Sequence, residues 1–459
     1  LEDVVEARIK TAGLAVGFLV AVSVAWGTDR LVPSVYPSVQ GGIDAAVDDD
    51  TVIVAPGTYY ENIDFGGKSI TLRSVGPNDP NTIAATVING NGSGTVITFP
   101  ANASAVCVVA GFTITNGSSS GDGGGIVVNN GTIDITNCII TGNSASRGGG
   151  IFNIGGKLML TDCTFSGNWA AEQGGGVATE SSSVLSSVTL TGCTFAGNSA
   201  GWGGAIHNTH YGAIVTNCTF SSNSATLGGA INTDHLYLGD LRLTNCTFSG
   251  NIADNDGGAV NNRVSGSFNV TNCIFWGNLA YREGPQIAHG KHGGTVSISY
   301  SCLQGGQLDI YASSGVLNWL SGNIDTDPRF ADGAGGDYHL QSTAGRWNAD
   351  TSHWVIDDND SPCIDTGDPG SDWTEELWPH GKSINMGAFG GTPQASMSSS
   401  QVGNIADLDC SGTVDDVDLW LFADKWLDQE LLLAEDLNRD GMVNDCDYAI
   451  FTSNWAWSQ

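Results

Sequence analysis

Positive charge is scarce in this chain. The 16 lysines and arginines stand against 48 aspartates and glutamates, a formal net charge of -32 on 459 residues. No basic patch exists to neutralise phosphates, which excludes a nucleic-acid binder. Charged residues of either sign make up only 14%, well below the usual quarter, while the 64 glycines are about double the average share. Turn-rich β architecture follows more naturally from that balance than helices. Long hydrophobic runs are also missing. The apolar stretch from Thr11 to Val24 spans 14 residues, too short for a comfortable membrane span. Preceded by Arg8 and Lys10 and running into Ala25, Trp26 and Gly27, it reads as a secretory signal over residues 1–27. An uncleaved anchor is the alternative, because Glu2, Asp3 and Glu6 make the leader acidic. The expected location is extracellular or at the cell surface.

What the chain does contain is repetition. Between Gly123 and Gly306 each unit reads GG[GA][IV], a variable stretch, then a block such as TNCTFSGN. The apolar residue after the glycines falls at Ile126, Ile151, Val177, Ile206, Ile231, Val260 and Ile287, and the cysteines at Cys138, Cys163, Cys193, Cys218, Cys246, Cys273 and Cys302. Two residues past the cysteine come Ile140, Phe165, Phe195, Phe220, Phe248 and Phe275; five past it come Asn143, Asn168, Asn198, Asn223, Asn251 and Asn278. Segments such as Val188 to Phe195 alternate with the period of half-buried strands. Short strands with Gly/Asn corners in turns of about 25 to 30 residues predict an all-β fold, a right-handed parallel β-helix. Equivalent side chains then stack in ladders of Cys, Phe and Asn at about 4.8 Å. The cysteine ladder is expected to be mostly reduced, each thiol acting as a small buried hydrophobe; disulfides between adjacent coils, which secretion would permit, are the alternative. No CxxC metal clamp occurs.

The FxxN and GGAI elements, as in Cys193 to Ile206, resemble polymorphic outer-membrane-protein repeats, which implies a surface-exposed adhesive β-helix. Tyr36 to Arg73 resembles the opening of pectate-lyase-like β-helices, which implies a capping helix, here about Val39 to Val47, before a strand Thr51 to Ala55. Val106 to Asn116 is expected to form another rung. The β-helix is placed at residues 33–345, a closing segment at 346–391 and a flexible linker at 392–403.

Insertions collect on one face. From each ladder cysteine to the next Ile or Val the spacing is 13 or 14 residues, whereas from that residue to the next cysteine it ranges from 12 to 16. Solenoids place binding loops on such a face. Three residues past the Ile or Val come Glu180, Thr209, Asp234 and Arg263; one past it come His207, Asn232 and Asn261; four past it come His210 and His235. Glu180, His207, Asp234 and Arg263 are therefore the candidate catalytic residues for a polysaccharide lyase or an inverting glycoside hydrolase. Two coils separate the carboxylates, about 10 Å, near the upper end of the inverting range, and Arg263 is the candidate base for a lyase. Asn232, Thr233 and Asp234 resemble the first motif of polygalacturonases, but the paired aspartates and basic tripeptide that accompany it there are missing. A solvated polar face is the competing reading. His289 and His292 read as loop residues. Trp169, Trp202 and Trp276 fall near corners, where they can stack on sugars or pack the bends.

The C-terminal residues carry one acidic pattern twice, 29 positions apart. Asp407, Asp409, Ser411, Asp415 and Asp418 recur as Asp436, Asn438, Asp440, Asn444 and Asp447, with Gly412 and Gly441 at the sharp turn. The oxygens fall at positions 1, 3, 5, 9 and 12 of a calcium loop, and the carbonyls of Thr413 and Met442 supply position 7. Two Ca2+ ions are expected. Each loop ends in Asp and is followed by a helix, which resembles the dockerin family over Ile405 to Trp457. That resemblance implies a two-calcium module, residues 404–459, that docks onto a cohesin-like partner. Positions 10 and 11, where dockerin partner choice lies, hold Asp416/Val417 and Asp445/Cys446 instead of the small hydroxyl pair common in cellulosomal members. The expected whole is a secreted protein contacting polysaccharide or a cell-surface glycan through its β-helix and tethered by its tail. A carbohydrate-active enzyme and a non-catalytic adhesin or surface-layer protein are the alternatives.

Overall fold

The structure, a computed structural model, describes residues 27–100, 106–180, 187–209, 212–234, 240–263, 265–290, 293–400, 402–429 and 431–459. Residues 1–26 of the leader, His210, His235 and His292 lie outside these residues. Each coil runs through as many as four short strands, and successive coils pair in parallel register to build four sheets. Sheet I has 12 strands, from Asp29–Val32 to Val316–Trp319; sheet II has 10, from Gly57–Tyr60 to Cys302–Leu303. Sheet III has 6, from Ser144–Arg147 to Leu279–Ala280; sheet IV has 10, from Ile63–Asp64 to Ile310–Ala312. This is a right-handed parallel β-helix, as the repeat predicts.

The corners explain the repeat's spelling. Between sheets I and II the residue ahead of the ladder cysteine is left-handed, with Asn137, Asp162, Asn217, Asn245 and Asn272 at φ between 49° and 54°. Asn and Asp are the side chains that tolerate this conformation best. Between sheets III and IV the first glycine of the GG pair takes the same role. A Cβ on Gly203 (φ +62°) would lie 2.0 Å from the Ile206 carbonyl oxygen, and one on Gly204 would lie 2.3 Å from that of Gly229. No side chain fits at either position.

Inside the solenoid the ladders are continuous. Phe165, Phe195, Phe220, Phe248 and Phe275 stack with centroids 4.6 to 5.0 Å apart. Cys138, Cys163, Cys193, Cys218, Cys246 and Cys273 form a buried ladder of free thiols. Cys302, expected as its seventh rung, departs from it. Ser301 takes that rung, accepting from Cys273 N at 3.1 Å, and Cys302 pairs with Ile274 on the outward side of sheet II. One residue of displacement reverses the direction of a strand side chain.

Helix α1, Val39–Ala45, buries Val39 and Ile43 against the first coil and is capped by Ser38, which accepts from Gly41 N. A second short helix, α2, spans Pro80–Ala85. At the other end the last coil strand is Val316–Trp319, after which a bridge joins Ile324 to Cys302. Two antiparallel hairpins follow, within residues 330–355, so the β-helix closes before the expected residue 345. Residues 361–391 lie along the flank of sheet II. The corner asparagines hold them there: Asn217 and Asn245 donate to the Gly390 carbonyl at 2.8 and 3.0 Å, and Asn272 accepts from Asp368 N at 2.7 Å. The expected linker is not free either. Ala395, Ser396 and Met397 are buried, Ser396 donates to the Leu340 carbonyl, and Met397 N donates to the Gly345 carbonyl. Their small and apolar side chains suit packing as well as flexibility, and composition alone does not separate the two.

Candidate functional site

The outward row of sheet IV carries the residues singled out for chemistry. Parallel register aligns His207 with Asn232 and Asn232 with Asn261. Their side chains form a chain of hydrogen bonds: Asn232 donates to His207 Nδ1 at 2.9 Å, and Asn261 donates to Asn232 Oδ1 at 2.6 Å. His207 is fully covered, with Trp202 at a centroid distance of 5.9 Å. Burial, with the Arg263 charge second, pushes its pKa down to about 3. The imidazole is therefore neutral at physiological pH, far from the poise of a general acid or base.

The two candidate carboxylates are held by different arginines. Glu180 bonds to Arg147, which also grips Asp122 through two bonds of 2.7 and 2.8 Å and lies over the Phe152 ring. Asp234 pairs with Arg263 at 3.4 Å, two coils further on. The structure thus joins Asp234 to Arg263 and leaves Glu180 in a separate ionic cluster. Beside Arg263 a groove of about 390 Å³ opens, lined by Asn261, Asp256, Arg282 and Tyr311 among others. Sequence reasoning missed Tyr311, although the same count carried one coil past Ile287, to Ile310, reaches it. The groove offers amide and guanidinium donors, carboxylate acceptors and an aromatic face, a set suited to a polyhydroxylated ligand.

The C-terminal pattern folds as two acidic loops, each leading into a nine-residue helix: α3, Asp416–Asp424, and α4, Asp445–Ser453. Asp418 and Asp447 are fully buried and lock the loops. Asp418 accepts from the backbone of Leu408, Asp409 and Asp415; Asp447 accepts from Asn438 and Asn444. Asp407 and Asp436 each accept from the loop glycine, Gly412 or Gly441. Asp415 and Asn444, read as position 9 of the loops, are helix N-caps in reciprocal capping boxes with Asp418 and Asp447. Ser411 donates to the Thr413 carbonyl, Asn444 to the Met442 carbonyl, and Asn438 to Asp440, so the oxygen-rich groups face one another within each loop.

Carboxylate oxygens of Asp407, Asp409 and Asp418 lie within 4.8 Å of one another. Asp407 Oδ1 is buried without a hydrogen-bond partner among the described residues. Burial raises the pKa of both Asp407 and Asp436 above the ordinary carboxylate value. A cation at this point would satisfy the orphan oxygen and the clustered charge together, so the donor set fits a hard ion. Between the helices Phe422 and Phe451 stack at 5.3 Å in a small core with Val414, Leu437 and Val443. Trp426 and Trp455 lie 5.8 and 5.9 Å from Phe422 and Phe451 between ring centroids and remain 39% and 44% exposed.

Four segments of the solenoid, residues 162–180, 192–209, 217–234 and 245–263, match the Chlamydia polymorphic membrane protein repeat. Residues 311–367, from the last coil into the flanking segment, match a family described as Disaggregatase related. No curated protein matches the chain.

Proposed function

We propose that this chain is a surface or secreted repeat protein whose β-helix contacts a glycan and whose C-terminal module holds two calcium ions and attaches to a cohesin-like partner. The observation that carries the tethering half is the duplicated loop, with the orphaned Asp407 oxygen amid three converging carboxylates. Asp407, Asp409 and Asp418, with Ser411, Asp415 and the Thr413 carbonyl, would hold one ion. Asp436, Asn438, Asp440, Asp447, Asn444 and the Met442 carbonyl would hold the other. Calcium there screens charge that otherwise strains a buried loop. Trp420, Trp426, Tyr448 and Trp455 expose large aromatic surface on the same module, which suits partner contact.

The glycan half rests on the groove beside Arg263 and on the repeat type, whose name comes from membrane proteins. Binding is favoured over catalysis because His207 stays neutral and Glu180 is bound to Arg147. The full chain is to be screened against acidic and neutral polysaccharides for retention and for new reducing or unsaturated ends. Retention without product supports this reading. Product would move it to a lyase or hydrolase, and absence of retention would remove the glycan.

A further inference from the structure

Cys302 and Cys363 break the pattern that explains the ladder thiols. Ladder cysteines point inward and stack in parallel at about 4.8 Å, a spacing wider than the ~3.8 Å between Cβ atoms that a disulfide needs. Cys302 stands one residue past the ladder, where Ser301 has replaced the thiol, and its side chain faces out of the solenoid. Cys363 belongs to the flanking segment that covers this face. Both are fully buried in one apolar cluster with Ile274, Leu340 and Met386, where the Cys302 thiol donates to the Thr326 carbonyl at 3.1 Å. Approaching from separate segments, they escape the parallel stacking that keeps ladder neighbours apart. The Cys363 backbone is held on both sides, donating to Ser361 Oγ at 3.1 Å and accepting from Met386 N at 2.9 Å.

We propose that Cys302 and Cys363 form a disulfide that staples the flanking segment to the C-terminal coil while the ladder cysteines stay reduced. All eleven cysteines are thiols in the structure, so this bond is an oxidation. The two thiols lose two protons and two electrons as the S–S bond forms. A low-molecular-weight disulfide accepts them, its own S–S bond breaking to give two thiols through a mixed-disulfide step. Contact with Cys302, then burial, holds the Cys363 thiol well above its ordinary value, so thiolate is scarce once the segment has closed. The bond therefore forms as the chain folds, before this surface is sealed.

The full chain is to be refolded with reduced and oxidised glutathione, then denatured and alkylated. Nine of the eleven thiols are expected to label, and digestion without reduction should give one linked pair carrying Cys302 and Cys363. Eleven labelled thiols, or a linkage between ladder cysteines, would overturn the proposal. In C363S all ten remaining thiols should label; a new bond between Cys302 and the ladder would contradict the claimed selectivity. Limited proteolysis of the wild type needs no variant: cleavage within residues 361–391 should slow by about tenfold on oxidation. Equal rates would contradict the staple.

Discussion

Asn198 donates its side-chain amide to Asn223 Oδ1 on the next coil at 3.0 Å, and the same bond runs from Asn143 to Asn168, Asn168 to Asn198, Asn223 to Asn251 and Asn251 to Asn278. Each amide also donates to a carbonyl on the preceding coil, as Asn223 does to Phe195 at 2.9 Å, and each Oδ1 accepts a backbone N–H, as Asn223 does from Asn198. One side chain thus serves three coils. N223L keeps the branched shape but leaves Asn198 N without a partner inside the barrel, and removes one bond each from Asn198 Nδ2, which keeps only the Phe165 carbonyl, and from the Phe195 carbonyl. A loss of about 3–5 kcal/mol is expected, from unmet groups at ~1–3 kcal/mol each. Urea unfolding checks it, and a loss under ~1 kcal/mol would show that the ladder is dispensable.

Glu376 gives the flanking segment a pH dependence. It is buried, accepts from Asn385 N and Gly391 N at 2.8 Å, and burial raises its pKa to about 8 despite those two bonds. The native state therefore keeps a proton that the unfolded chain releases near an ordinary glutamate value of about 4.3. Stability tied to this group is complete below that value, falls as pH rises towards about 8, and levels off above it. Melting curves across this range should show the decline in the wild type and a weaker one in E376Q, whose amide carries no titrating proton. Parallel slopes would contradict the assignment.

Asp415 is the N-cap of α3 and a proposed calcium ligand, and chelation separates the two roles. In calcium-free buffer D415A should lose about 1 kcal/mol of stability of the C-terminal module, the usual worth of such a cap. Far-UV circular dichroism during denaturation follows it. No loss without calcium would leave capping with no energetic role.

The groove on sheet IV and the Arg147 cluster make different demands. If glycan contact lies beside Arg263, R263A should weaken retention about tenfold, while R147A, which frees Glu180 and Asp122, should leave it nearly unchanged. Affinity electrophoresis compares the two. Equal losses would place the contact elsewhere.

Much of this architecture is legible in the residues because a solenoid repeats its constraints. Asn before Cys, the paired glycines and FxxN each mark a corner or a ladder, and each recurs often enough to be read. Cys302 shows where repetition misleads, since one shifted residue turns its side chain outward. His207 shows a second limit. Alternation gives the direction of a side chain correctly, but its cover comes from other residues, Trp202 among them, that spacing does not reveal. Residues 392–398 show a third, because small polar residues pack against a flank as readily as they form a linker. The pairing of Glu180 with Arg147 depends on two long side chains meeting across coils, which no spacing rule encodes.

Calorimetric titration of the full, metal-stripped chain with calcium tests the central claim most directly. Two binding events are expected, with a rise in the melting temperature of the C-terminal module, and D407A and D436A should each remove one event. A chain that binds no calcium, or binds it equally well without Asp407 and Asp436, would contradict the account.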